Sequence, residues 1–194
     1  MFTGIVEAVG QVIFLTREES NLTLGVKCGF VNELKIDQSI AHNGACLTVI
    51  KIENDIYYVT LIQESLNKTN FNTIQPGELV NLERCLKVGD RLDGHFVTGH
   101  IDTVGVCTEV EDQNGSWKFT FTYENCPFET VSKGSITING VSLTVVDSSP
   151  KSFSICIIPY TFEHTNFNQI KVGSKVNLEF DILGKYVSKL INKQ

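Results

Sequence analysis

The stretch Asn43-Gly44-Ala45-Cys46-Leu47-Thr48-Val49 returns as Asn139-Gly140-Val141-Ser142-Leu143-Thr144-Val145, 96 residues further on. Three more blocks recur around it in the same order. Thr3-Gly4 with Val9-Gly10 reappears as Thr98-Gly99 with Val104-Gly105, and Thr69-Asn70-Phe71-Asn72 as Thr165-Asn166-Phe167-Asn168. Val80-Asn81-Leu82-Glu83 reappears as Val176-Asn177-Leu178-Glu179. The first block is offset by 95 residues and the others by 96, so one unit is written twice. A unit of this length buries a core of its own, which predicts two domains and not a solenoid of short repeats. The boundary is expected in Lys87–Gly94, where glycine and charge lie between the matching ends. This gives domains at 1–92 and 93–183 and a tail at 184–194.

Each copy reads as strand. Gly4–Val9, Gln11–Leu15, Leu22–Lys27, Cys46–Ile52, Ile56–Ile62 and Leu79–Arg84 are rich in β-branched and aromatic residues and are flanked by Asn, Asp and Gly. The second copy repeats them at Gly99–Val104, Gly105–Val110, Trp117–Tyr123, Ser142–Asp147, Phe153–Ile158 and Lys175–Phe180. Six short strands per copy predict a small closed antiparallel barrel, since closure removes exposed sheet edges. Short helices are expected at Phe30–Leu34, Glu64–Lys68, Pro127–Val131 and Tyr160–His164. In the tail, Leu183, Tyr186, Val187, Leu190 and Ile191 recur at helical spacing. That stripe calls for a partner, either its own domain or the same helix of other subunits.

Composition narrows the function. With 42% hydrophobic and 20% charged residues the chain is an ordinary globular one, and a net charge of −6 without a dense Lys/Arg run argues against nucleic acid and anionic membranes. No apolar run approaches a membrane span, and the first positive charge is Arg17, so no signal peptide is read at the start. The six cysteines show no CxxC spacing, and reduced thiols in a cytoplasmic protein are expected. Four histidines offer no metal spacing, and no phosphate-binding glycine fingerprint, P-loop or nucleophile elbow is present. A cofactor-free reaction or a simple binding role follows.

The candidate site residues are polar groups set in apolar strands. Cys46 and Thr48 share one strand face, as do Ser142 and Thr144, and the preceding Asn-Gly pair marks the tight turn that starts each strand. Such side chains suit hydrogen bonding to a planar heterocycle; the plain alternative is that they fill a barrel interior. His100 stands where the first copy has Ile5, and Asp181 where it has Cys85. Polar differences inside a repeated frame are places for differentiated chemistry, although either residue can equally be a solvated surface group.

The segments MFTGIVE (1–7), AHNGACLTV (41–49), NGVSLTV (139–145) and GHFVTGH (94–100), with two VNLE strand ends, resemble riboflavin synthase of the trimeric alpha-subunit type. The likeness runs from Met1 to about Lys189. It implies two tandem six-stranded antiparallel Greek-key barrels, all-β apart from a C-terminal helix that trimerises the chain. It implies dismutation of two 6,7-dimethyl-8-ribityllumazine molecules, with transfer of a four-carbon unit, giving riboflavin and 5-amino-6-ribitylaminouracil. No metal or redox cofactor is expected, and lumazine synthase is the candidate partner protein.

Carried over by motif, one pocket comprises Gly4-Ile5-Val6, Cys46-Leu47-Thr48 and Thr60-Leu61-Ile62-Gln63-Glu64-Ser65. The other comprises Gly99-His100-Ile101, Ser142-Leu143-Thr144 and Cys156-Ile157-Ile158-Pro159-Tyr160-Thr161. Lys133 matches a lysine that reaches a neighbouring subunit's ligand, and Phe2, Ser39, Cys46, His100, Ser142 and Asp181 match positions implicated in turnover. His100 is expected as a general base and Ser142 and Asp181 as activating groups, with Cys46 either nucleophile or wall. Asn139 stands where many members of that family have Asp, which leaves its turn role intact and removes any charge. A non-catalytic lumazine or flavin antenna protein on the same barrels is the rival reading, and a purely structural pair of barrels is a second.

Overall fold

The structure is a computed structural model that describes residues Met1–Ile191. In the first copy the strands are β1 (Ala8–Glu18), β2 (Asn21–Lys27), β3 (Ser39–His42), β4 (Ala45–Glu53), β5 (Ile56–Leu61) and β6 (Leu79–Arg84). They close in the order β1-β2-β5-β4-β3-β6. The second copy supplies β7 (Thr103–Asp112), β8 (Trp117–Tyr123), β9 (Ser135–Ile138), β10 (Val141–Ser149), β11 (Ser152–Ile157) and β12 (Lys175–Phe180), closed in the equivalent ring. Three consecutive strands in each barrel are joined as hairpins, and the strand before them returns beside the third, which is a Greek key. Helices α1 (Gln63–Lys68) and α2 (Pro159–His164) follow equivalent strands, and α3 (Ile182–Ile191) ends the described chain.

Alternation fills the barrels. In β5 every second residue is buried, and the interior collects Leu24, Val49, Tyr57, Val59, Val80 and Leu82 in the first barrel. Phe119, Phe121, Ile136, Phe153, Ile155 and Leu178 fill the second. Each core comes from its own copy, except that Ile101 packs on the first and Val6 on the second.

Three sequence expectations are corrected. Gly4–Val9 and Gln11–Leu15 are not separate strands, because β1 runs unbroken through Gly10 and pairs it with Val80. Glycine serves there for close approach: a Cβ would lie 2.5 Å from Leu82 Cδ1. Gly99–Val104 and Gly105–Val110 likewise give way to one strand, β7, with Gly105 against Leu178. The sixth strand of each barrel is instead the four-residue β3 or β9, a run too short to stand out in the sequence and paired with a neighbour on each side. Pro127–Val131 forms no helix. Its carbonyls accept from side chains, Phe128 O from the Tyr123 hydroxyl at 3.1 Å and Thr130 O from the Ser148 hydroxyl at 2.7 Å. The tail helix forms as its spacing predicts, while 192–194 of the tail lie outside the described residues.

The repeated motifs weld the barrels together. Asn43-Gly44 and Asn139-Gly140 are two-residue hairpin turns with positive φ at both positions (43° and 82°, 46° and 80°), as a primed turn requires. The turns stand back to back: a Cβ on Gly44 would lie 2.9 Å from Gly140 N. Asn43 Oδ1 accepts from Asn81 N–H at 2.8 Å, and Asn139 Oδ1 from Asn177 N–H at 2.8 Å. Across the interface Asn81 Nδ2 donates to Asn139 O at 2.9 Å and Asn177 Nδ2 to Asn43 O at 3.0 Å. Asn166 and Asn70, from the repeated Thr-Asn-Phe-Asn block, donate their N–H groups to Asn81 Oδ1 and Asn177 Oδ1. Asn139 is therefore a structural asparagine whose amide satisfies buried backbone donors.

Candidate active site

Each copy begins with a Thr-Gly segment, and the structure exchanges these segments between the barrels. Glu83 of the first barrel accepts from Thr3 N–H (2.6 Å), Thr3 O–H (2.8 Å) and Gly4 N–H (3.0 Å). Glu179 of the second holds Thr98 and Gly99 in the same way, at 2.7, 2.7 and 3.0 Å. So anchored, Gly4 O accepts from Ser142 N–H at 2.7 Å on the second barrel, and Gly99 O accepts from Cys46 N–H at 2.9 Å on the first. Both glycines have positive φ, and a Cβ on either would lie 2.5–2.6 Å from the Cβ of Cys46 or Ser142.

This exchange corrects the grouping of the candidate residues. Gly99-His100-Ile101 lies against Cys46-Leu47-Thr48 on the first barrel, and Gly4-Ile5-Val6 against Ser142-Leu143-Thr144 on the second. Thr60–Ser65 leads from β5 into α1 above the first face, and Cys156–Thr161 leads from β11 into α2 above the second. Among these residues Leu47, Leu61 and Ile157 point into the barrel cores and offer a ligand only their backbone. Ile5, Thr48, Ile62, Gln63, Glu64, His100, Thr144, Cys156, Ile158, Pro159 and Tyr160 are exposed, as is Lys133. The two faces stand open on the protein surface.

On the first face Phe2 is fully buried in a small cluster with Ala41, Val97 and Cys46, and its backbone bridges to Val97. It supports Cys46 and Gly99 from beneath. Burial pushes the Cys46 thiol up, and the hydrogen bond with the Ser39 side chain opposes this only in part. Cys85 donates its thiol hydrogen to Ser39 O at 3.5 Å. On the second face Ser142 replaces Cys46 and Asp181 replaces Cys85. Asp181 Oδ1 accepts from Leu183 N–H at 2.9 Å and so caps α3. The catalytic candidates are thus divided: Phe2, Ser39, Cys46 and His100 on one face, Ser142 and Asp181 on the other.

Sequence reasoning missed His95. It is buried, with Nδ1 2.7 Å from Ser142 Oγ and Nε2 3.1 Å from Thr137 Oγ1. Burial pulls its ring below the ordinary histidine range while the Asp181 charge opposes that shift. The available signal was a second histidine in the Gly94–His100 segment that carries His100.

A groove of about 1150 Å³ lies elsewhere, between the α1 end of the first barrel and β7 and β8 of the second; Thr69, Asn70 and Asn72 of a repeated block line it, and none of the candidate site residues does. A second hollow of about 540 Å³ lies under α3 and reaches Asp181. Among the described residues no group of three or more His, Cys, Asp or Glu is arranged to hold a metal ion, and no helix is long and apolar enough to cross a membrane.

A family model described as the lumazine binding domain matches the chain twice, over residues 3–85 and 98–181. A riboflavin synthase of Actinobacillus pleuropneumoniae is 37% identical over 196 residues, with 100% of this chain and 91% of that protein covered. One of Bacillus subtilis (strain 168) is 35% identical over 195 residues, with 100% and 91% covered. The chain belongs to the riboflavin synthase family. The riboflavin synthase of Brucella abortus, 33% identical over 202 residues, is covered over its whole length as is this chain. The fold of this riboflavin synthase family member is also that of LumP complexed with 6,7-dimethyl-8-(1'-D-ribityl)lumazine, with a TM-score of 0.84 at 26% identity over 93% of this chain and 99% of that one. LumP complexed with riboflavin gives 0.85 at 26%, with 92% and 98% covered.

Proposed function

We propose that the chain is a riboflavin synthase, a transferase that converts two molecules of 6,7-dimethyl-8-ribityllumazine into riboflavin and 5-amino-6-ribitylaminouracil. One lumazine gives up a four-carbon unit, its C6 and C7 with their methyl groups, and the other receives it. Donor and product balance as a dismutation, so no external oxidant or reductant enters. The observation that carries this reading is the pair of equivalent faces, each built from one barrel and the other copy's Thr-Gly segment and each bearing different polar groups. Two identical heterocycles need two like cradles, and holding them face to face removes much of the entropic barrier.

The division of residues assigns roles. His100 is the exposed base at the first face and takes a C7-methyl proton, made acidic by delocalisation of the anion into the ring. Cys46 is a wall of that cradle: burial pushes its thiol up, which disfavours the thiolate a nucleophile needs. Ser142 and Asp181 at the second face polarise the other molecule and assist its opening. The productive site forms where the first face of one subunit meets the second face of another, with Lys133 reaching across. The domain limits 1–92, 93–183 and 184–194, the homotrimer built on α3, cytoplasmic location and association with a lumazine synthase belong to the same proposal.

The test is incubation of the purified protein with the lumazine alone. Riboflavin and the pyrimidine appearing in equal amounts support the enzyme. The likeness to LumP favours a second reading, a lumazine or flavin carrier, which predicts tight binding without product.

A further inference from the structure

We propose that His95 is a positioning residue that sets the direction of the Ser142 hydroxyl, with Thr137 holding the far nitrogen of its ring. The inference rests on the reading that Ser142 faces a lumazine at the second face. Ser142 and Thr137 sit directly opposite each other on β10 and β9, and the His95 ring links their side-chain oxygens, 2.7 Å from one and 3.1 Å from the other. Its backbone is fixed as well, because His95 N–H donates to Thr3 O at 3.1 Å. Thr137 is fully buried, and its hydroxyl has this one side-chain partner.

A neutral imidazole carries one N–H and one lone pair, so the line of three groups has two arrangements. In the first, Nδ1–H donates to Ser142 Oγ, the serine proton is free to point at a bound heterocycle, and the Thr137 hydroxyl donates to Nε2. In the second, Ser142 donates to Nδ1 and Nε2–H donates to Thr137, leaving Ser142 only lone pairs to offer the ligand. The ring thus decides whether Ser142 is donor or acceptor, and it can exchange the two as charge develops on the substrate. A small hydroxyl that would otherwise rotate freely is held in a productive direction.

The first barrel is the internal control. Cys46 stands at the place of Ser142 and Ala41 at that of Thr137, so neither hydroxyl of the line is present there. Duplication reproduces shared framework, so a linked polar line present on one side only is not part of that framework.

The test is steady-state formation of riboflavin by His95→Gln, His95→Asn, Ser142→Ala and the double variant His95→Gln/Ser142→Ala, with lumazine binding followed by quenching of Trp117, the single tryptophan. Asparagine places an amide near the Nδ1 position, whereas glutamine places it near Nε2. His95→Gln is expected to lower kcat about tenfold with KM and quenching changed less than about threefold. His95→Asn recovers most of the rate, and His95→Gln adds no further loss to Ser142→Ala. Unchanged kcat in His95→Gln, losses that multiply in the double variant, or equal losses in Asn and Gln would each overturn the role. Should His95→Gln not fold, Thr137→Val against Thr137→Ser carries the test: valine lowers kcat and serine does not, and equal rates overturn it. Absence of riboflavin from the wild-type protein would overturn the enzyme reading and this role together, an outcome distinct from the variant results.

Discussion

Cys46 and Ser142 hold the same place in the two copies, yet their surroundings give them different chemistry. The thiol has burial and a serine; the hydroxyl has a histidine and a nearby carboxylate. His100 belongs to the cysteine side, and His100→Gln is expected to slow turnover at least tenfold while lumazine quenching of Trp117 changes little; equal losses in both would reject its role as base. A second histidine controls stability instead. His42 is fully buried in the first barrel, donates from Nδ1 to Ile40 O at 3.1 Å, and accepts the Tyr57 hydroxyl at Nε2 at 2.8 Å. Burial pulls it down from 6.5 to about 4. The unfolded chain therefore binds the proton first as pH falls. Stability is full above pH about 6.5, declines through the window down to about 4, and the total loss is about 3 kcal/mol. His95, also depressed, adds loss in the same direction. The second barrel places Ile138 and Phe153 at the equivalent positions, so the double variant His42→Ile/Tyr57→Phe should flatten this acid limb in urea unfolding at pH 7 and pH 4.5. An undiminished pH dependence in that variant would assign the loss elsewhere.

At the scale of elements, the leading segments 3–6 and 98–101 matter more than any strand for building the site. Each is pinned by a glutamate on its near barrel and aimed by its glycine carbonyl at the far one. Gly99→Ala combines a φ of +82° with a Cβ 2.5 Å from Cys46 Cβ. It is expected to cost about 1–3 kcal/mol and to lower lumazine binding at the first face, read by thermal melting and by quenching titration. The alanine variant binding as well as wild type would show that the segment is not part of the cradle. Helix α3 is pinned differently, through the half-buried pair of Lys185 Nζ with Asp102 Oδ2 at 2.5 Å, and Asp102 also accepts from Phe180 N–H. This leaves Leu183, Tyr186, Val187, Leu190 and Ile191 outward, each more than half exposed. Such a stripe is expected to be covered by other subunits. Leu190→Asp should reduce the mass measured by light scattering, and an unchanged mass would remove α3 from the assembly.

For the whole molecule, the decisive feature is that one chain carries both faces and separates them. The proposed roles put His100 and Ser142 on different faces, and on that proposal the productive site combines two subunits. Mixing refolded His100→Gln and Ser142→Ala chains in equal amounts should restore about a quarter of wild-type activity, the share of sites that pair two intact faces in a random ring. No recovery above the separate variants would place both faces in one site of one chain.

The amino-acid sequence by itself determined the duplication, the closed barrels, the Asn-Gly turns and the tail helix. These follow from local chemistry: alternation for strands, positive φ for turns, a 3.6-residue stripe for the helix. It also brought out Cys46, Ser142, His100 and Asp181, because each breaks or keeps the repeat at an aligned place. Only the tertiary structure decided that β3 and β9 exist, since a run of only four residues becomes strand through partners on both sides. Only it decided that Gly4 belongs with Ser142 and Gly99 with Cys46, and that His95 lies between Ser142 and Thr137. A repeat pattern records which residues correspond, but contact between copies is set by how the two barrels dock, and that geometry has no periodicity along the chain.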